Sequence, residues 1–148
     1  MEEYNIRRID QLDASVLQPL LQEGLAEGYR FLARLHTDYL DGTNRFDQVG
    51  EALFGVYVEE ELVGIVGLNR DEYVSGSCTG RVRRLYIAND HRGKGVGRKL
   101  LAAIISHASM NFSQLTLRTG TEEASRFYDH CGFARTLELP ESTHILTL

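Results

Sequence analysis

The residues best suited to chemistry lie in one run, His91-Arg92-Gly93-Lys94-Gly95-Val96-Gly97-Arg98-Lys99. Glycines alternate there with cations. Ahead of the run, Leu85-Tyr86-Ile87 reads as the end of a strand, and from Gly95 onward the apolar spacing turns helical. A helix start exposes backbone N–H groups and a partial positive charge, so it attracts anions. Glycine lets an anion reach the backbone without meeting a Cβ. The neighbouring cations add charge-assisted hydrogen bonds. The chemistry indicated is the holding of a phosphate. Neither Gly-x-x-x-x-Gly-Lys-Ser/Thr nor Gly-x-Gly-x-x-Gly is present, the spacing here being Gly93-x-Gly95-x-Gly97. A dinucleotide fold would also place its loop after the first strand, whereas this loop lies past the middle of the chain.

Charge supports a phosphate ligand. Residues 81–99 hold seven basic side chains, including both lysines of the protein, against the single acid Asp90, although the whole chain carries −5. A long nucleic acid is disfavoured because the remaining surface is acidic and would repel it. A compact phosphate ligand fits better. The 148 residues, 43% hydrophobic and 25% charged, suit a single domain over 1–148 with an ordinary core. No apolar run approaches the roughly 18 residues that span a bilayer, so no membrane partner is expected. The acidic start Met-Glu-Glu-Tyr-Asn lacks the marks of a signal peptide, which suggests a cytoplasmic protein. Cys78 and Cys131 imply no disulfide framework, and no Cys/His spacing suggests a metal.

The elements that must position the loop follow from periodicity. Tyr4–Ile9 is a weakly alternating strand. Asp13 reads as an N-cap for a helix with the stripe Leu17, Leu20, Leu21 and Leu25, early enough to tolerate Pro19. Tyr29–Leu40 reads as a second helix. Leu53–Val58 and Leu62–Leu68 form a hairpin around Glu59-Glu60-Glu61. Asp71–Gly80 is loop-like. Then come a strand Arg81–Ile87, a helix Gly95–Met110, a strand Gln114–Arg118 and a helix Glu122–Cys131 ended by Gly132. Strands Phe133–Leu139 and His144–Leu148 close the chain. The order β-α-α-β-β-β-α-β-α-β-β predicts a mixed α/β sheet flanked by helices.

With these residues in place, a resemblance is evident. Arg92-Gly93-Lys94-Gly95-Val96-Gly97 is similar to the Arg/Gln-x-x-Gly-x-Gly/Ala signature of the GNAT superfamily of N-acetyltransferases, and Leu85-Tyr86-Ile87 resembles the strand before it. Ala124-Ser125-Arg126-Phe127-Tyr128-Asp129-His130-Cys131-Gly132-Phe133 resembles the family's second signature, Ala-x-x-Phe-Tyr-x-x-x-Gly-Phe. The likeness implies a twisted α+β sheet, mostly antiparallel, that splays between the strands 81–87 and 114–118. Acetyl-CoA would be the cosubstrate, with no metal. Its pantetheine arm would pair with the backbone along Leu85, Tyr86 and Ile87. Its pyrophosphate would lie on Arg92, Gly93, Lys94, Gly95, Val96, Gly97 and Arg98. Thr121 stands where the family often has an asparagine near the cofactor. Arg81, Arg83 and Arg84 occupy the strand positions where the family often carries a glutamate base.

The reaction implied is attack of a primary amine on the thioester carbonyl. The resemblance puts Tyr128 beside the sulfur. A phenol with a pKa of roughly 10 is protonated at neutral pH, so it can protonate the departing thiolate. Asp71, Glu72 and a bound water remain open as the base. The aromatic positions Tyr29, Phe31 and Tyr39 are candidate acceptor contacts. The acidic remainder of the surface favours a cationic amine, on a small molecule or a peptide. A homodimer stays open. The competing reading is a non-catalytic acyl-CoA sensor on the same fold.

Overall fold

The computed structural model describes residues 3–74 and 78–148. Part of the loop expected over 71–80, namely 75–77, lies outside the described residues. The first strand, β1, is Tyr4–Arg8. Asp13 then caps helix α1, Ala14–Ala26, by accepting the Ser15 N–H at 2.9 Å. The helix runs through Pro19 and buries Leu17, Leu20 and Leu21. Helix α2, Phe31–Asp41, starts two residues later than the spacing predicts, leaving Tyr29 outside it. It ends at Gly42, whose φ of 84° reverses the chain.

Strands β2 (Ala52–Val58) and β3 (Glu61–Arg70) form the expected hairpin, with Glu59 taking a positive φ of 57° in its two-residue turn. Strand β4 covers Thr79–Ile87, and a short 3-10 turn over Asn89–His91 leads into helix α3, Val96–Ala108. Strand β5 (Gln114–Leu117), helix α4 (Glu122–His130), and strands β6 (Ala134–Arg135) and β7 (His144–Thr147) complete the chain. The strand expected over 133–139 shrinks to two residues, because only Ala134 and Arg135 find partners on β7.

The seven strands form one sheet in the order β1-β2-β3-β4-β5-β7-β6. Every neighbouring pair is antiparallel except β4–β5. Strand β3 is buried at eight consecutive positions, as a strand covered on both faces must be. An irregularity beside Val63 in its pairing with β2 changes which residues face which side. Val63, Val66 and Leu68 pack with Leu100, Leu101 and Ile104 of α3 on one face. Leu62 and Ile65 pack with Leu17, Leu20, Leu32 and Leu35 of α1 and α2 on the other. The sheet is thus a wall between two apolar cores, with α3 and α1/α2 on opposite sides.

Arg135 ties β6 to α4 by bonding both Glu122 (2.8 Å) and Asp129 (2.9 Å), and Asp129 also meets the buried His144 ring at 3.2 Å. The Arg135 hydrogen bonds hold both carboxyls below their ordinary values. Their contribution to stability is therefore complete above the unfolded-state values of roughly 4 and is lost as pH falls through the lower folded values. Urea unfolding of the parent and Arg135→Gln is expected to give midpoints that differ most near pH 7. The gap should close on acidification toward pH 3.

Candidate functional site

The site begins where β4 and β5 part. Their parallel ladder has only three rungs, Thr79↔Gln114, Gly80↔Leu115 and Arg81↔Thr116. Strand β4 continues to Ile87, so residues 82–87 have no β5 partner. A polar cluster closes the last rung. Asp71, fully buried at its side chain, accepts from the Thr116 hydroxyl and from the Tyr73 N–H, and lies 3.7 Å from Arg81. Arg81 also donates to Ser142 and to the Glu141 carbonyl of the segment before β7. Burial lowers the Arg81 pKa, and Asp71 opposes that shift. A buried pair of this kind needs all its partners, so it pins the point at which the strands diverge.

Past the fork, β4 is distorted. Between Ile65↔Tyr86 and Gly67↔Arg83, β3 spends one residue and β4 spends two, Arg84 and Leu85. Arg84 takes a φ of 61°, unusual for a residue with a Cβ. A bulge bends the strand and re-aims its side chains. Nothing in the sequence pattern signalled it.

The glycine loop stands at the end of this strand. Gly93 and Gly95 have φ values of 75° and 77°, and a Cβ added at either would meet nothing within 4 Å. Gly95 is the N-cap of α3 with no side-chain cap, so the first N–H groups of that helix lack an intrahelical partner. The backbone is open on the outside and strained for any other residue. Gly97 serves packing: a Cβ there would sit 3.4 Å from Phe127 and 3.5 Å from Ile87. The two signatures therefore meet, Phe127 of α4 lying against the first turn of α3.

Several basic side chains of this stretch have specific tasks. Arg92 makes a two-pronged bond to Glu27 (2.6 and 3.0 Å) and donates its Nε–H to the Ile87 carbonyl. Those bonds raise its pKa, and the same contact is the largest influence lowering that of Glu27. Arg98 donates to the His130 carbonyl at the end of α4. Arg83 pairs with Glu72 at 3.1 Å. The side chain of Val96 is buried in the α3 core, which leaves its backbone to face the loop. Tyr86 is also buried, on the opposite face, where its hydroxyl donates to Glu23 and Glu27. Leu85 and Ile87 are half-buried against the α3 core.

The remaining candidates are placed as follows. Tyr128 is 9% exposed, edge-on to Phe127 and Phe133, with the His144 ring 5.9 Å away. Its hydroxyl has no hydrogen-bond partner among the described residues, and burial raises its pKa. Burial also raises the Cys131 thiol, away from the thiolate that nucleophilic chemistry needs. Thr121 is the N-cap of α4 and accepts the Ala124 N–H at 3.1 Å. Tyr29 and Phe31 meet the Tyr86 ring edge-on beside α1. Tyr39 accepts the Leu12 N–H. Among the described residues no group of His, Cys, Asp or Glu is arranged to hold a metal, and no helix is long and apolar enough to cross a membrane.

A mostly antiparallel sheet, parted at its one parallel pair beside a glycine-rich helix start, defines an acetyltransferase type of fold. The chain belongs to the acetyltransferase (GNAT) domain family, whose model matches residues 50–135. It is 30% identical over 112 residues to an uncharacterized protein of Mycobacterium leprae (strain TN), a match covering 70% of this chain. The matched part spans only 31% of that longer relative. It also resembles a candidate acetyltransferase from Exiguobacterium sp. 255-15, at 27% identity and a TM-score of 0.86, over 98% of this chain and 93% of that one. The glucosamine-6-phosphate N-acetyltransferase of Arabidopsis thaliana shares the fold at 17% identity and a TM-score of 0.65, over 91% of this chain and 94% of that one. Proteins of this fold generally use acetyl-CoA.

Proposed function

We propose that this protein transfers the acetyl group of acetyl-CoA to a primary amine by direct attack. The observation that carries the reading is the fork itself. Residues 82–87 of β4 lack a β5 partner, the opening lies beside the uncapped start of α3, and the second signature supplies a phenol, Tyr128, with no hydrogen-bond partner among the described residues. The residues fit the cosubstrate. The open side of Gly93 and Gly95 admits a pyrophosphate to the N–H groups of Val96 and Gly97. The backbone along Leu85–Ile87 can pair with the amides of a pantetheine arm. Bound there, acetyl-CoA supplies an activated thioester.

The side chains then divide the work. Arg92, held by Glu27, braces the strand end through the Ile87 carbonyl, and Arg98 fixes α3 to α4. Tyr128, kept protonated by burial, protonates the departing thiolate. Asp71 is buried and committed to Thr116, Tyr73 and Arg81. Glu72 is exposed, pairs with Arg83 and lines a cavity beside β4, and is the carboxylate we assign to take the amine proton directly or through water. Thr121 has a capping task in α4 that leaves a second lone pair for the cofactor side.

The experiment is a screen for free thiol release from acetyl-CoA across amines of different charge. Acetyl-CoA binding with no acceptor at any charge would instead make the protein an acyl-CoA sensor. The ligand itself is checked by thermal shift at matched concentration. CoA and acetyl-CoA are expected to stabilise the protein more than ATP or NAD, because loop and β4 edge act together on one extended ligand. Stronger stabilisation by ATP or NAD would reassign the site.

A further inference from the structure

Beside the bulge in β4 lies a cavity of about 510 Å³, walled by α2, the segment that follows it and the strands β3 and β4. That volume suits a small organic molecule. Its charge is not what the acidic surface suggests. Arg83 is answered by Glu72 at 3.1 Å. Glu51 is used up internally, accepting from Asn69 and from the backbone N–H groups of Gln48 and Arg70. Arg84, Arg34 and the exposed Arg70 are different, for none of the three guanidinium groups has an ion-pair or hydrogen-bond partner among the described residues, and of them Arg84 and Arg34 act on each other. Arg84 is half-buried and projects from the bulge. Burial, Arg83 and Arg34 all pull its pKa down, and only Asp38 opposes them. Asp47 is the other carboxylate in the wall, 3.5 Å from the Gln48 amide.

A partly desolvated arginine crowded by like charge gains most from an anion that it can bind two-pronged. A cationic group without an anion of its own would add to the repulsion. Resting on the acetyl-transfer reading, we propose that the acceptor is a small primary amine that also carries a carboxylate or a phosphate. The anion lies on Arg84 and Arg34, and the amine faces Glu72 and the opening in β4. The bulge thus has two roles: its backbone bends β4 beside the cosubstrate opening, and its side chain selects the acceptor.

The test uses acceptor pairs that differ only in the anion: an amino acid and its amide, and an amino sugar phosphate and the free amino sugar. The anionic member of at least one pair is expected to have a kcat/KM about tenfold to hundredfold higher, the scale of a lost hydrogen bond to a charged group. Whichever pair discriminates shows whether the anion is a carboxylate or a phosphate. Arg84→Gln and Arg34→Gln should each remove most of that preference, chiefly through the acceptor KM, with the acetyl-CoA KM unchanged. Arg34 lies on an exposed part of α2, so its variant reports even if Arg84→Gln disturbs the bulge. Equal use of both members, a preference insensitive to both substitutions, or acetylation confined to polyamines would overturn the proposal and leave the acetyltransferase standing. Failure to bind acetyl-CoA in calorimetry, or binding without transfer to any amine, would overturn both.

Discussion

Tyr128→Phe is expected to lower kcat by about 10²–10⁴-fold, the usual effect of losing a general acid, while acetyl-CoA affinity stays within a few-fold. The substitution preserves the ring and its edge contacts to Phe127, Phe133 and His144. It removes a hydroxyl that no described residue engages, so no hydrogen bond to any of them is lost with it. That separates chemistry from packing: a structural tyrosine would show its value in stability, and here the unfolding midpoint should barely move. Because burial raises the phenol pKa, Tyr128 stays protonated through the alkaline range in which an ordinary tyrosine begins to ionise, near pH 10. Any alkaline fall in rate below that pH belongs to another group. The measurements are kcat with the best acceptor, direct acetyl-CoA binding, and a single-turnover rate showing that chemistry is limiting. An unchanged single-turnover rate would make Tyr128 a packing residue and leave solvent to protonate the thiolate.

Gly95→Val should weaken acetyl-CoA binding by at least about tenfold to hundredfold, the equivalent of one charge-assisted hydrogen bond. Two effects combine. A β-branched residue resists the φ of 77° at the α3 N-cap, at a cost of about 1–2 kcal/mol. Its side chain would also fill the open space beside the helix N–H groups, where the proposed pyrophosphate site lies. Gly42→Val separates the two, since Gly42 has a similar φ of 84° at the end of α2. It should lose comparable stability and keep its acetyl-CoA affinity. Calorimetry on both folded variants decides the matter. Equal affinity in Gly95→Val and the parent would put the pyrophosphate elsewhere.

Much of the fold was legible because it is written in local chemistry. Asp13 announced α1 by the ordinary logic of a capping carboxylate, and it does cap that helix. All seven strands and four helices occur in the expected order. Element ends were less exact. Tyr29 looked helical by spacing, yet Gly28, with a φ of 92°, turns the chain first. The strand read over 133–139 lost most of its length because a strand needs a neighbour, and only two of its residues have one.

The run of cations at 81–99 shows where sequence reading stops. Its composition pointed to one polyanion site. In the fold, Arg81 is buried against Asp71, Arg83 pairs with Glu72, Arg92 with Glu27, and Arg98 with the His130 carbonyl. Two of these partners are remote in sequence: Arg92 and Glu27 stand 65 residues apart, and Arg98 and His130 stand 32 apart. Composition counts charges without saying which are neutralised, and that difference decides which arginines remain for a ligand.

By itself the sequence determined the family, the two signatures and the glycine-rich start of α3, since these depend on residue type at short spacing. Only the tertiary structure decided where β4 and β5 part, that Arg84 sits on a bulge at positive φ, and that Arg34 joins it across a cavity. These features arise from strand register and from contacts between distant segments. Register is settled by the packing of the two cores on either side of the sheet, a property that no local run of residues carries.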